Sequence, residues 1–260
     1  QRMADTLAQV DFIAAEDTRV TLKLLNHLGI KKPLLSYYRH NTGVGGEAVL
    51  SRLLAGESGA LVTDAGTPAV SDPGEELVAQ CAREEIPVVA VPGPCALITA
   101  LSVSGLPTGR FTFEGFLAMN RKNRRTHLES LREEERTMIF YEAPHKLCAT
   151  LQDLRDTFGG ERRITLCREL TKLHEQVLRT TLDQALEYFN DTPPRGEFVL
   201  VVEGGGPRAA DALSIEDAAR QVKELVEQGD SMRDAIKKVS KKLEISKNRL
   251  YQEVLQNPSV

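Results

Sequence analysis

From Val10 to Glu203, short apolar runs alternate with stretches whose apolar residues recur every three or four positions. Residues 10–15 (V-D-F-I-A-A) predict a buried strand. Residues 18–28, with Val20, Leu24, Leu25 and Leu28 on one face, predict an amphipathic helix closed by Gly29. The alternation continues with a helix over 46–55, a strand over 60–63, a helix over 75–84 and a strand over 87–91 (P-V-V-A-V). Residues 94–103 read as a helix and 110–116 as a strand. A second set follows, opened by a strand over 137–141. Leu147, Leu151, Leu154 and Phe158 then step along a helix that stops at Gly159-Gly160. Residues 163–167 are a strand, 182–189 a helix, and 197–203 (E-F-V-L-V-V-E) a strand too continuously apolar to face water.

Short buried strands between helices define an α/β fold. Residues 118–136 separate the two sets, which gives one α/β domain over 1–117 and a second over 118–206. Gln1 lies inside an apolar helical pattern (Met3, Leu7, Val10) with neither an initiator Met nor a capping residue, so further chain is expected upstream. After Gly204-Gly205-Gly206-Pro207 the pattern changes to three short amphipathic helices over 215–228, 231–243 and 246–255, forming a module over 211–260. Ser214 and Asp217 start the first of them, and Gly229 ends it. Residues 211–230 carry two basic and six acidic side chains, and 231–260 carry seven basic and three acidic. A trihelical module with one basic end fits a helix-turn-helix, or equally a packing domain with a solvated face.

Composition narrows the classes. Lys+Arg 33 against Asp+Glu 37 leaves a net charge of −4, so any nucleic-acid contact must come from local patches. Aromatics are 5% with no Trp, too few for broad base-stacking platforms. Cys81, Cys95, Cys148 and Cys167 are dispersed without metal-ligand spacing, so no metal site is expected and a reducing compartment is. With no bilayer-length apolar run and no secretory leader pattern, the expectation is a cytoplasmic protein that does not contact membrane.

Chemistry concentrates where strands end. Thr63-Asp64-Ala65-Gly66-Thr67-Pro68 follows one strand directly, and Asp72-Pro73-Gly74 closes the same loop before a helix. Ligands of open α/β sheets bind at such ends, although an ordinary Gly/Pro connector has the same composition. Pro92-Gly93-Pro94-Cys95-Ala96 is a second loop of small residues leading into a helix. Cys95 as a nucleophile lacks a neighbouring His and carboxylate. Neither loop matches a dinucleotide or P-loop fingerprint. Glu16-Asp17-Thr18-Arg19 places two carboxylates, a hydroxyl and a guanidinium together, with Asp17 or Thr18 also suited to cap the next helix. His40-Asn41 ends a short connection, and Glu142 and His145 follow another strand. Arg168-Glu169-Leu170-Thr171-Lys172 follows a further one, on the same side if the strands are parallel. Arg121, Lys122, Arg124 and Arg125 put four permanent charges in seven residues, either a phosphate-backbone contact or a solvated helix face.

The ordered series A-A-E-D-T-R, H-N, T-D-A-G-T-P with D-P-G, V-P-G-P-C-A, F-Y-E-A-P-H-K and R-E-L-T-K resembles the ribosomal RNA small subunit methyltransferase I family, part of the tetrapyrrole-methylase superfamily. The resemblance runs from about Met3 to Gly204, and the tail looks like the family's C-terminal helical domain. It implies S-adenosylmethionine in a cleft between two α/β domains, a homodimer, and 2′-O-methylation of a cytidine ribose in 16S rRNA, within the small subunit. By position it assigns Asp64, Gly66, Thr67, Val70, Pro94, Cys95, Ala96, Tyr141, Arg168, Glu169 and Leu170 to the cofactor. Glu16, Asp17, Arg19 and Glu142 are expected to face the substrate, with a carboxylate taking the ribose proton or, as an open alternative, Lys172. His40, Asn41, Arg121, Lys122, Arg124 and Arg125 are the expected RNA contacts. The family's opening strand and P-T-P-I-G-N-L-like loop, close to the cofactor in related enzymes, precede the point where this sequence starts. Two other readings stay open: a tetrapyrrole (precorrin-type) methyltransferase, and a non-catalytic ribosome-binding protein. The basic run and the helical tail disfavour the first, because a small macrocycle needs neither.

Overall fold

A computed structural model describes residues 1–205, 215–243 and 247–256. The chain forms two compact units, one of residues 1–131 and 136–203, the other of 132–135 and 204–260. Ser214, Gly206, Pro207 and Ser246, used above to delimit the tail, lie outside the described residues.

The first unit opens with α1 (Arg2–Gln9), β1 (Phe12–Ala15), α2 (Thr18–Leu28), β2 (Leu34–Ser36), α3 (Thr42–Leu54), β3 (Gly59–Val62) and α4 (Glu75–Arg83). β1 is central and pairs in parallel with β2 and β3, in the order β2-β1-β3. All four β1 residues are buried, as a strand covered on both faces requires. Gly29 ends α2 at φ 69°, a left-handed turn that a Cβ would strain. Residues 87–91, expected as a strand, pair with nothing among the described residues, and Val88 and Val89 are 56% and 69% exposed. An apolar run becomes a strand only when a neighbour takes its amides and carbonyls.

α5 (Ala96–Val103) and β4 (Phe111–Phe116) come next, followed by α6 (Arg121–Ser130), β5 (Thr137–Glu142) and α7 (Leu147–Phe158). β6 (Arg163–Arg168), β7 (Gln176–Thr181), α8 (Leu182–Asp191) and β8 (Phe198–Val202) complete the unit. The second sheet has the order β4-β5-β8-β6-β7. β4, which the sequence groups with the first set, pairs in parallel with β5 in this second sheet. β8 runs antiparallel to both β5 and β6, so the sheet is mixed. β5 and β6 nevertheless point the same way, and their carboxyl ends share one edge. β7 was not foreseen: Q-V-L-R-T-T is half-polar, as suits an outer strand with one neighbour.

The sheet separates two apolar layers. Phe140, Leu166, Phe198 and Leu200 pack with Leu147, Leu151, Leu154, Leu182 and Phe189 of α7 and α8. Ile139, Cys167, Val199 and Val201 pack on the other face with Leu97, Ala100 and Leu101 of α5. Successive strand residues alternate between these layers, and that parity decides which end residues reach the cleft.

The second unit carries α9 (Ile215–Glu227), α10 (Met232–Lys242) and α11 (Lys247–Gln256). Its core is Ala218, Ala219, Val222, Ala235, Ile236, Val239, Leu250 and Val254. The Ser231 hydroxyl caps α10 by accepting from Asp234 N at 3.2 Å. The three helices match the expected tail.

Candidate active site

Two loops of the first unit hold most of its unusual backbone. Ala69 and Ser71 (φ 67° and 65°) lie between β3 and α4, and Glu169 and Thr171 (φ 49° and 66°) lie between β6 and β7. Positive φ at non-glycine residues costs energy and concentrates where a fold must present a site. Gly74, at φ 144°, closes the first loop with no room for a side chain: a Cβ there would stand 2.7 Å from Leu61 Cδ2.

Contacts draw the loops together. Thr67 Oγ1 donates to Pro94 O at 3.1 Å, tying the β3–α4 loop to the one before α5. Leu97 N, in the first turn of α5, donates to Tyr141 Oη at 3.1 Å. Tyr141 also meets Phe113 and Phe116 edge-on, at centroid distances of 5.0 and 5.5 Å. A bulge between Phe113 and Gly115 puts both phenylalanines on the same side of β4 and brings Gly115 against Ser71. Cys95, Tyr141 and Leu170 are half-buried on one apolar cluster.

At the ends of β1 and β3 the site is acidic. Glu16 accepts from Thr63 Oγ1 at 2.5 Å and from Asp64 N at 3.2 Å. Asp17 caps α2 through Arg19 N at 2.8 Å and holds the Arg19 guanidinium at 2.7 Å. That hydrogen-bonded pairing pulls the Asp17 carboxyl down to about 2. Burial, with the neighbouring Glu16 charge, pushes Asp64 and Asp72 up. Arg39 donates to Ser71 O at 3.3 Å, and with Tyr37, Thr42 and Asp72 lines a cavity of about 300 Å³ beside the first turn of α4. Arg39 was missed: it stands beside the His40-Asn41 pair, but nothing in the sequence shows it folding back onto the β3–α4 loop.

Several expected residues sit elsewhere. Glu142 does not face the cleft: it is buried beneath α7, accepting from Ala143 N at 2.8 Å and Thr150 Oγ1 at 2.6 Å. Arg168 lies on the α7–α8 face, opposite Tyr141, and donates to Gln176 Oε1 at 2.7 Å. Glu169 is paired with Lys172 at 3.0 Å and lies against Gly196. Asn41 is spent on its own loop, donating to Ser36 O at 3.0 Å and accepting from Tyr38 N at 2.6 Å. Arg124 is bound to the buried Asp153 at 2.6 Å, so it braces α6 on α7 rather than facing outward. His40, Arg121, Lys122 and Arg125 are exposed. Val70 is exposed between the two strained residues of its loop. The described residues contain no cluster suited to a metal ion.

The fold and this loop arrangement define a class. Residues 1–186 match the family model for Tetrapyrrole (Corrin/Porphyrin) Methylases. Among solved structures, a uroporphyrin-III-C-methyltransferase from Thermus thermophilus superposes with a TM-score of 0.53 at 18% identity, covering 77% of this chain and 86% of that one. A diphthine synthase superposes with a TM-score of 0.57 at 11% identity, over 78% and 83% of the two chains. These likenesses establish the fold.

Sequence takes the assignment further. The chain is 47% identical over 251 residues to the ribosomal RNA small subunit methyltransferase I of Synechocystis sp., covering 96% of this chain and 90% of that protein. The protein of the same name from Vibrio cholerae is 42% identical, over 99% and 89%. The chain belongs to the ribosomal RNA small subunit methyltransferase I family of these methylases.

Proposed function

We propose that this chain transfers the methyl group of S-adenosylmethionine to the 2′-hydroxyl of a cytidine ribose in small-subunit rRNA, acting in the cytoplasm as a homodimer. The observation that carries the reading is near-full-length identity of 47% to a protein named for that RNA. It is joined to a cleft whose loops converge on Tyr141.

The residues present fit the cofactor. The half-buried wall of Cys95, Tyr141 and Leu170 suits one face of a flat ring. Gly66 stays open, because even an added Cβ would come no nearer than 3.9 Å to Pro94 O. The exposed Asp64 carboxylate suits an ammonium or a ribose hydroxyl, and we assign Thr67, Val70, Pro94 and Ala96 to the same ligand, Thr67 being tied to Pro94 O at 3.1 Å. When bound, S-adenosylmethionine supplies a methyl group already activated as a sulfonium.

The chain's own task is to align one hydroxyl and take its proton. Glu16, Asp17 and Arg19 face the RNA. Asp17, held as an anion near 2 by Arg19, accepts a proton poorly and serves to orient the guanidinium. Burial beside Glu16 raises Asp64 and Asp72, and Glu16, which faces the RNA next to Asp17, is the carboxylate that receives the ribose proton. Arg121, Lys122 and Arg125, with His40, supply phosphate contacts.

The test is tritiated-methyl transfer from S-adenosylmethionine to undermethylated small ribosomal subunits. Label on one cytidine ribose is the expected result. Cofactor binding with no label on RNA, and label on a precorrin-type tetrapyrrole instead, would replace the substrate. Cofactor binding with label on neither would leave a ribosome-binding protein.

A further inference from the structure

A second cavity lies on the other face of the second sheet. It measures about 260 Å³ and is bordered by Arg168, Gln176, Tyr188, Phe189, Thr192 and Arg195, with Pro193 at its edge. Arg168 and Tyr141 follow the same strand parity in reverse. Arg168 pairs across β8 with Phe198 of the α7–α8 layer, whereas Tyr141 pairs with Val199 of the α5 layer. The cavity is therefore separate from the cofactor cleft, although both open at the carboxyl ends of β5 and β6.

Its chemistry is cationic. Arg168 is half-buried, yet its partners are neutral: Nε donates to Gln176 Oε1 at 2.7 Å and Nη1 to Arg195 O at 3.2 Å. Among the described residues no carboxylate lies within ion-pair distance of Arg168 or Arg195. Two of the five guanidinium N–H groups are thus used, and three, the Nη2 pair among them, remain for another acceptor. A half-buried guanidinium without a counter-charge is costly, and phosphate oxygens match its fork. Tyr188 borders the same space and is 37% exposed. Its hydroxyl accepts from Gln176 Nε2 at 3.2 Å, and its ring stands edge-on to Phe189 at 5.0 Å, so its orientation is fixed. A cavity of about 260 Å³ has room for a phosphate and one ring.

We infer that this cavity is a subsite for the RNA strand, holding one phosphodiester between Arg168 and Arg195 with the adjoining base stacked on Tyr188. The inference rests on the reading above that the substrate is RNA. It gives the enzyme a grip on single-stranded RNA away from the reacting ribose, where unstacked bases meet aromatic and guanidinium surfaces.

The test compares the full chain with Arg195→Ala and Tyr188→Ala. Arg195→Ala keeps the carbonyl that holds Arg168, so the loop stands. Fluorescence anisotropy with a labelled single-stranded oligoribonucleotide reads affinity at several salt concentrations, and calorimetry reads S-adenosylmethionine binding. Arg195→Ala is expected to weaken RNA binding about tenfold and to lower the slope of log affinity against log salt by about one phosphate contact. Tyr188→Ala is expected to weaken it about fivefold with the slope unchanged. Cofactor affinity is expected to stay at the wild-type value in both. If wild type methylates RNA and both variants bind RNA as wild type does, the subsite is wrong and the function stands. If wild type methylates RNA in subunits yet binds no oligoribonucleotide, the subsite alone falls; if it does neither, both fall. Wild-type RNA affinity in both variants, with inorganic-phosphate binding by calorimetry lost in Arg195→Ala, would assign the cavity to free phosphate and overturn the RNA subsite.

Discussion

Glu142 is the sharpest test of the structural reading, because a carboxylate in the F-Y-E-A-P-H-K motif invites a catalytic role. It is 3% exposed and accepts two hydrogen bonds, from Ala143 N at 2.8 Å and from Thr150 Oγ1 at 2.6 Å. These bonds join the end of β5 to α7. Glu142→Ala strands both donors and leaves a hole under α7. At about 1–3 kcal/mol for each unsatisfied group, the expected loss is about 3–5 kcal/mol, a large part of a typical domain's stability. Glu142→Gln is milder. Its amide oxygen still accepts from Ala143 N, and the Thr150 hydroxyl can rotate to accept from the new NH2. A cost of about 1 kcal/mol lowers Tm by about 2–4 °C in a unit of this size. The assay pairs thermal unfolding with kcat measured well below the transition. Glu142→Gln should lose a few degrees of Tm and keep kcat within about threefold of wild type, a barrier change below 1 kcal/mol. A variant with unchanged Tm and kcat reduced a hundredfold would show that this carboxylate reaches the reacting groups, and the structural assignment would be refuted.

Three further outcomes follow from the geometry. Asp17 should titrate near 2 by carbon-detected NMR and move back toward 3.8 in Arg19→Ala. Because its folded pKa is depressed, its stabilising contribution is present above about 3.8 and fades as pH falls through about 2; a titration unmoved by Arg19→Ala contradicts the pairing. Arg124→Ala removes the nearer of the two arginines on the buried Asp153, leaving Arg125 at 3.9 Å, and should cost about 2 kcal/mol in urea unfolding. Arg121→Ala, on the exposed first turn of α6, should leave stability alone and lower the salt slope of RNA binding by about one contact; reversed outcomes would exchange their roles. Gly74→Ala forces a Cβ toward Leu61 and Ala69 at φ 144°, so S-adenosylmethionine affinity should drop about tenfold or more by calorimetry, and wild-type affinity would mean that the β3–α4 loop does not shape the cofactor site.

The α/β pattern was legible because buried strands and amphipathic helices carry strong local periods. Thr18–Leu28 ends at Gly29, and Phe198–Val202 is buried at every position, both as the sequence predicts. Pairing was less legible, since it depends on residues far away in the chain. Residues 87–91 have the composition of a strand but no ladder, and Gln176–Thr181 has a ladder but little apolar signal. Likewise, nothing local in residues 111–116 says that they join the second sheet. The β3–α4 loop is read from its Gly, Pro and Asp after a strand, and the β6–β7 loop from its polar R-E-L-T-K run. Their strain at Ala69, Ser71, Glu169 and Thr171 was invisible, because none of these residue types announces positive φ.

One part of the site was within reach of the sequence and still went astray. Tyr141 and Glu142 are adjacent on a strand, so their side chains must leave opposite faces. Tyr141 turns to Leu97 and the cleft, which commits Glu142 to Thr150 and α7. The same rule separates Cys167, in the α5 layer, from Arg168, in the cavity beside α8. Motif reading treats neighbouring polar residues at a strand end as one cluster. Strand parity divides them, giving the cleft an apolar and aromatic wall on one face and an arginine-lined pocket on the other. Strand parity puts Arg168 in that pocket, and the loop before β8, outside any strand alternation, brings Arg195 to its border.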